Sequence, residues 1–171
     1  IWLKGETDML GALEEVESFG EFAKRNNAVA STDVKSFEHL ICTEQLSRRL
    51  GFKVGEELIR VVRVRSLNGN ARQVDHGYFL ESITKGLTPE IAAKSIYDYL
   101  EHKRGVKVMA SRRTVSVELA NDEDCSYLDL GKYNCVAVME SQSYTSDGIL
   151  FEVTHARTHP EIFHYRVNSK R

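Results

Sequence analysis

The stretch Leu58–Leu80, LIRVVRVRSLNGNARQVDHGYFL, reads as two strands joined by a turn at Asn68-Gly69. Successive strand residues point to opposite faces, so Ile59, Val61, Arg63 and Arg65 share one side and Val62 and Val64 the other. Two arginines on an otherwise apolar face need an anion, because a buried guanidinium without a partner costs on the order of 3–5 kcal/mol. The planar fork suits phosphate or carboxylate. Two readings follow from the hairpin alone: it walls an anion-binding pocket, or its arginines lie on a solvated face or pair with neighbouring Asp and Glu. Register separates the outcomes. A regular two-residue turn puts Asp75 opposite Val62, away from both arginines. A three-residue loop, or an equivalent bulge, pairs Arg63 with Asp75 and Arg65 with Gln73. The loop or bulge is the expectation, with Gly69 or Asn70 at positive φ, since it lets Arg63, Arg65 and Asp75 converge on one ligand.

Working outward, Ser18 with Glu21 three residues on makes a capping box for a short helix, FGEFAKRNN. Thr32–Cys42 reads as extended, and Thr43 caps TEQLSRRLG, which closes at Gly51. After the hairpin, Thr88-Pro89-Glu90 opens a helical region that runs to Gly105. Val106–Leu119 alternates as a long strand, Asn121 caps a helix closed by Gly131, and Asn134–Thr145 is a strand. Ser146-Asp147-Gly148 turns into Ile149–Thr158, and Ile162–Val167 is expected as a last strand. Long antiparallel strands with interspersed helices give an α+β plan in one domain, residues 1–171, with an antiparallel sheet and flanking helices.

The chain has 171 residues, 42% hydrophobic and 28% charged, enough for one sizeable core. Two prolines and eleven glycines argue against a disordered segment. A net charge of −2 supplies no bulk positive field for nucleic acid. The apolar runs are too short for a membrane span, and IWLKGETDMLGALEEVESF lacks the basic start and apolar core of a signal peptide. Cytoplasmic residence without a membrane partner is therefore expected. Cys42, Cys125 and Cys135 have no zinc-like spacing and are expected as buried, reduced thiols. His155 and His159 lie roughly 13 Å apart if extended, too far to share a metal. No metal or cofactor is expected.

Several patterns, in order from about Glu15 to Arg166, resemble one family, the UTRA effector-binding domain of GntR-type, HutC-subfamily bacterial transcription regulators. The hairpin RVRSLNGNARQVDHGYF resembles the family's R-x-R strand-turn-strand core. KSIYDYLEHKRGVKV is similar to its S-[LI]-Y helix followed by G-[LV]-x-[VI]. ELANDEDCSYLDLGKYNCVAVMESQSYTSDGILFEVTHART resembles its helix and the strand pair carrying F-E-x-T. Within the family, LTPEIAAKSIYDYLE, ANDEDCSYLDLGKY and Asp75 look most like trehalose operon repressors. The resemblance implies a chorismate lyase-like fold, a phosphosugar effector (trehalose 6-phosphate), a homodimer, and operator contact through an N-terminal winged-helix domain ahead of Ile1.

Carried across residue by residue, the resemblance assigns Arg63, Arg65, Ser95, Tyr97 and Ser18 to the phosphate, and Asp75, Glu152, Phe19 and Thr158 to the sugar. Each has a plainer reading. Ser18 and Ser95 are helix caps, Tyr97 is a core aromatic, Phe19 is an anchor, Asp75 neutralises an arginine, and Glu152 lies on a strand surface. Where many relatives carry an aromatic that closes the pocket, this chain has Thr158 and His159. Three functions from different classes follow. The first is a non-enzymatic sensor of phosphosugar in a repressor. The second is a chorismate lyase-like enzyme holding a carboxylated substrate with Arg63, Arg65 and Glu152. The third is a dimerisation module without a working pocket.

Overall fold

The computed structural model describes Leu10–Gly11 and residues 18–165. A six-stranded, wholly antiparallel sheet has the order β2-β3-β4-β7-β6-β5, formed by β2 (Ala30–Ile41), β3 (Glu57–Leu67), β4 (Asn70–Leu80), β5 (Val108–Leu119), β6 (Cys135–Thr145) and β7 (Leu150–Thr158). A short strand β1 (Leu10–Gly11) pairs in parallel with β8 (His164–Tyr165). Among the described residues, five helices accompany the sheet: α1 (Phe19–Arg25), α2 (Glu44–Leu50), α3 (Pro89–Ala92), α4 (Ile96–Arg104) and α5 (Asp122–Tyr127). Among the described residues, no helix is long and apolar enough to cross a membrane.

Local chemistry sets the element ends. The Ser18 capping box forms in both directions, Glu21 N–H to Ser18 Oγ and Ser18 N–H to the Glu21 carboxylate. Thr43 caps α2, which stops at Gly51 with φ 88°. The helical region from Thr88 is interrupted: α3 ends at Ala92, and Ser95 caps α4 by accepting the Asp98 N–H. A serine here offers the backbone a local bond that competes with helix continuation. α5 is also shorter than expected, ending at Tyr127 with Leu128 extended, so Gly131 serves a later turn. The expected strand Ile162–Val167 is corrected too. Pro160–Ile162 is a 3-10 turn capped by His159, whose Nδ1 accepts the Glu161 N–H, and β8 is limited to His164–Tyr165; Arg166 and Val167 lie outside the described residues.

Two apolar layers hold the sheet. On one side Ile59, Val61 and Phe79 pack with Leu87, Ala92, Ile96 and Leu100 under α3 and α4. On the other, Val62, Val74, Val136 and Val138 pack against Leu128 and Leu130 after α5. A small separate cluster of Ala23, Leu67 and Ile162 seats α1. Arg157, on the α5 side, is fixed by Asp124 at 2.9 Å and by Glu118. The cysteines are free thiols, but only Cys42 is buried; Cys125 is exposed on α5 because its helix presents it to solvent. Among the described residues, no three His, Cys, Asp or Glu side chains gather as a metal cluster.

Candidate functional site

The hairpin β3–β4 decides the site, and its register combines the two alternatives weighed above. The turn is the two-residue Asn68-Gly69, with both residues at positive φ, 50° and 81°. That conformation suits Asn and Gly and matches the strand twist. Left alone, it would put Asp75 on the wrong face. A bulge at Arg72 then adds one residue to β4, between the pairs Ser66–Ala71 and Arg65–Gln73, and brings Arg63 opposite Asp75. The row continues through Ala156 of β7 to Met139 of β6.

Arg63, Arg65 and Asp75 therefore converge on one face, where they line a cavity between the sheet, α1, the α3–α4 break and the segment after β7. Arg63 Nη2 donates to Asp75 Oδ2 at 2.5 Å; Arg65 donates to the same oxygen from Nη2 at 2.9 Å and Nε at 3.2 Å. Arg63 and Asp75 are each 2% exposed. Burial pushes the Asp75 carboxyl up, but the two guanidiniums outweigh it and bring it down to about 2. Arg63 Nη1 also reaches the Ala92 carbonyl at 3.5 Å, its guanidinium lies over Phe79, and Arg65 lies over Phe19 at 5.1 Å.

Beside this trio lies a second polar group. Tyr97 Oη donates to Glu152 Oε2 at 2.5 Å and sits 3.0 Å from Ser143 Oγ. Burial raises the Glu152 carboxyl above its ordinary value, opposed by the bonds from Tyr97 and Ser143 and by Arg63. Burial and the Glu152 charge raise the Tyr97 hydroxyl well above the usual phenol range. The cavity's lining includes four cations, Arg63, Arg65, Lys94 and Arg113, against two carboxylates, Asp75 and Glu152.

All nine residues named from the sequence line this one cavity: Ser18, Phe19, Arg63, Arg65, Asp75, Ser95, Tyr97, Glu152 and Thr158. Several hold their plainer roles as well. Ser18 and Ser95 cap helices, and Asp75 neutralises arginines across the hairpin. Glu152 is 5% exposed, so the reading of a surface strand residue is corrected. Arg63 and Arg65 are likewise off any solvated face, with side chains 3% and 13% exposed. Where an aromatic was missing near Thr158, the 3-10 turn brings Ile162 and Phe163 to the cavity instead, while His159 turns away to the Asp129 carbonyl at 3.0 Å. Sequence reading missed Ser111 and Arg113 of β5, Met139 and Ser141 of β6, and Thr154 and Ala156 of β7. The period-two pattern through Glu152 and Thr158 was the available signal for the β7 pair.

The UTRA domain family profile matches residues 25–164. The HTH-type transcriptional regulator TreR of Bacillus subtilis (strain 168) is 28% identical over 148 residues, 86% of this chain and 62% of that protein, so the chain spans about three-fifths of that relative. Among solved structures, the effector binding domain of the B. subtilis trehalose repressor (TreR) aligns with a TM-score of 0.72 at 27% identity, covering 82% of this chain and 98% of that one. PhnF from Mycobacterium smegmatis shares the fold, with a TM-score of 0.82 at 18% identity over 95% of this chain and 72% of the other. The α+β sheet, the Arg-x-Arg hairpin and the matched span together place this chain in the UTRA domain family.

Proposed function

We propose that this chain is the effector-binding domain of a GntR-type transcription regulator, a cytoplasmic homodimeric repressor, and that its effector is a phosphosugar, trehalose 6-phosphate. The observation that carries this reading is the cavity's charge. In a chain of net charge −2, its lining carries four cations and two carboxylates, and Arg63 and Arg65 share a single carboxylate oxygen. A phosphate dianion supplies the missing counter-charge and the acceptor geometry that a guanidinium fork matches. Arg63, Arg65, Ser18, Ser95, Tyr97 and the N-terminal turn of α4 are the candidates for the phosphate; Asp75, Glu152, Phe19 and Thr158 for the sugar. The likeness to the trehalose repressor supports the choice of sugar.

In this reading an N-terminal winged-helix domain ahead of the chain reads the operator, and the sugar acts by binding two states of the dimer unequally, a coupling of about 1–3 kcal/mol. The enzymatic alternative finds less support in the proton chemistry: Asp75 is held ionised, Tyr97 is held protonated, and Glu152 already accepts from Tyr97. The test is a thermal-shift titration with trehalose 6-phosphate, glucose 6-phosphate, trehalose and chorismate. Trehalose 6-phosphate at about 100 times its dissociation constant is expected to stabilise the chain by about 2.7 kcal/mol. Stabilisation by chorismate alone would favour the enzyme, and equal response to trehalose and its phosphate would remove the phosphate site.

A further inference from the structure

Two buried side-chain polar atoms among the described residues have no hydrogen-bond partner, Arg63 Nε and Ser111 Oγ, and both belong to residues that line the cavity. A buried polar atom left unpaired is unfavourable unless a ligand or water completes it. The two stand at opposite ends of the floor. Arg63 is on β3 and Ser111 on β5, four strands apart in the order β3-β4-β7-β6-β5. At about 4.8 Å per strand that is roughly 19 Å of floor.

The β5 end has its own chemistry. Arg113, Ser141 and Thr154 pair across β5, β6 and β7 in one register row, so a guanidinium and two hydroxyls lie side by side on the cavity face. Ser111 begins the adjacent row through Ser143 to Glu152. Hydroxyl side chains around one guanidinium suit the mixed donors and acceptors of a sugar ring, whereas the paired arginines on β3 suit a phosphate. Counted along the sheet from Arg63 and Arg65, a single pyranose covers the middle strands, and a second ring extends the ligand toward β5.

We propose that Ser111 and Arg113, with Ser141 and Thr154, form a second subsite that takes hydroxyls of the unphosphorylated ring and so selects a disaccharide phosphate over a hexose phosphate. This rests on the phosphosugar reading above. β5 is an edge strand whose neighbouring Val115 and Val117 are exposed, so changes at Ser111 and Arg113 leave the core in place.

The test is isothermal titration calorimetry of the chain and its Ser111→Ala and Arg113→Met variants with trehalose 6-phosphate and glucose 6-phosphate. Each variant is expected to weaken trehalose 6-phosphate by about tenfold, as for one lost hydrogen bond to a hydroxyl, with glucose 6-phosphate binding unchanged in Ser111→Ala and weakened by less than the disaccharide in Arg113→Met, whose charge is one of the four in the cavity. Melting of ligand-free Ser111→Ala is expected to match or exceed wild type, because its hydroxyl has no partner to lose. Equal losses for both sugars, or unchanged binding of the disaccharide, overturn the subsite. A wild-type chain that binds both sugar phosphates equally also overturns it while leaving the phosphate site standing. A wild-type chain that binds neither overturns the phosphosugar reading and the subsite together.

Discussion

Replacing Asp75 with Asn keeps the side chain's shape and one acceptor oxygen but removes the charge that Arg63 and Arg65 share. Arg63 is 3% exposed at its side chain and Arg65 13%, so water compensates Arg63 hardly at all and Arg65 only in part. Leaving a buried charge unpaired costs on the order of 3–5 kcal/mol; taking the lower figure because Asn still accepts one bond, the loss is about 3 kcal/mol. For a domain of this size, 1 kcal/mol moves the melting temperature by about 2–4 °C, so a fall of roughly 6–12 °C is expected near neutral pH. Calorimetry or fluorescence melting reads it directly.

The same substitution carries two further signatures. Asp75 has a folded-state pKa of about 2 against 3.8 for the free group, so its ionised form stabilises the fold above pH 3.8 and that stability is lost as pH falls through about 2. The proton-linked part is about 2 kcal/mol. The gap between wild type and Asp75→Asn is therefore expected to narrow below pH 4. Inorganic phosphate is also expected to raise the melting temperature of the variant more than that of wild type, because it fills the vacated anion position between two arginines. A variant that melts with wild type at pH 7 and gains no more from phosphate would refute the reasoning.

Four other substitutions probe neighbouring steps. Arg65→Ala is expected to weaken trehalose 6-phosphate by about 2 kcal/mol, roughly 30-fold in dissociation constant by calorimetry, with a small effect on melting; Arg63→Ala is expected to lose stability as well, since Arg63 also reaches Ala92 and Phe79. Gly77→Ala would place a Cβ 2.5 Å from Phe79 Cε2, and displacing that fully buried ring is expected to cost about 1–3 kcal/mol in denaturant unfolding. Glu152 has a raised pKa in the fold, so it favours the folded state below its free value of 4.5 and that contribution is lost as pH rises. The melting temperature of Glu152→Gln relative to wild type is therefore expected to climb between pH 4 and pH 7, and a pH-independent difference would count against the burial argument.

Elements governed by local chemistry were legible in the sequence. Ser18, Thr43 and Asn121 cap their helices, Gly51 and Gly105 close theirs, and each needs only its neighbours within a turn. The helix break at Ala93–Ser95 was less so, because Ser95 lies inside a run whose propensity also allows a continuous helix, and Arg63 bonding to the Ala92 carbonyl is a long-range contact. The final strand was started two residues too early for a related reason. Ile162–Val167 alternates like a strand, yet Pro160 and the His159 cap start a 3-10 turn there, and its apolar residues serve α1 and the cavity.

The site divides the same way, by the sequence distance over which its pairing is set. Arg63, Arg65 and Asp75 belong to one hairpin, so turn chemistry and charge sufficed to argue for an odd-length loop or an equivalent bulge; a two-residue turn without the bulge would leave both arginines without Asp75. The bulge at Arg72 resolves that conflict locally. The β5 end had no comparable constraint. Its residues reach the cavity because β7 inserts between β4 and β6, a pairing between segments more than 70 residues apart, such as Asp75 with Ala156. Ser111 and Arg113 become cavity residues only once that strand order is known, since alternation along β5 distinguishes two faces without saying which one meets Arg63. Sequence thus located the anion end of the site by an energetic necessity, the pairing of buried charge, whereas the opposite end depends on topology that single-strand patterns leave open.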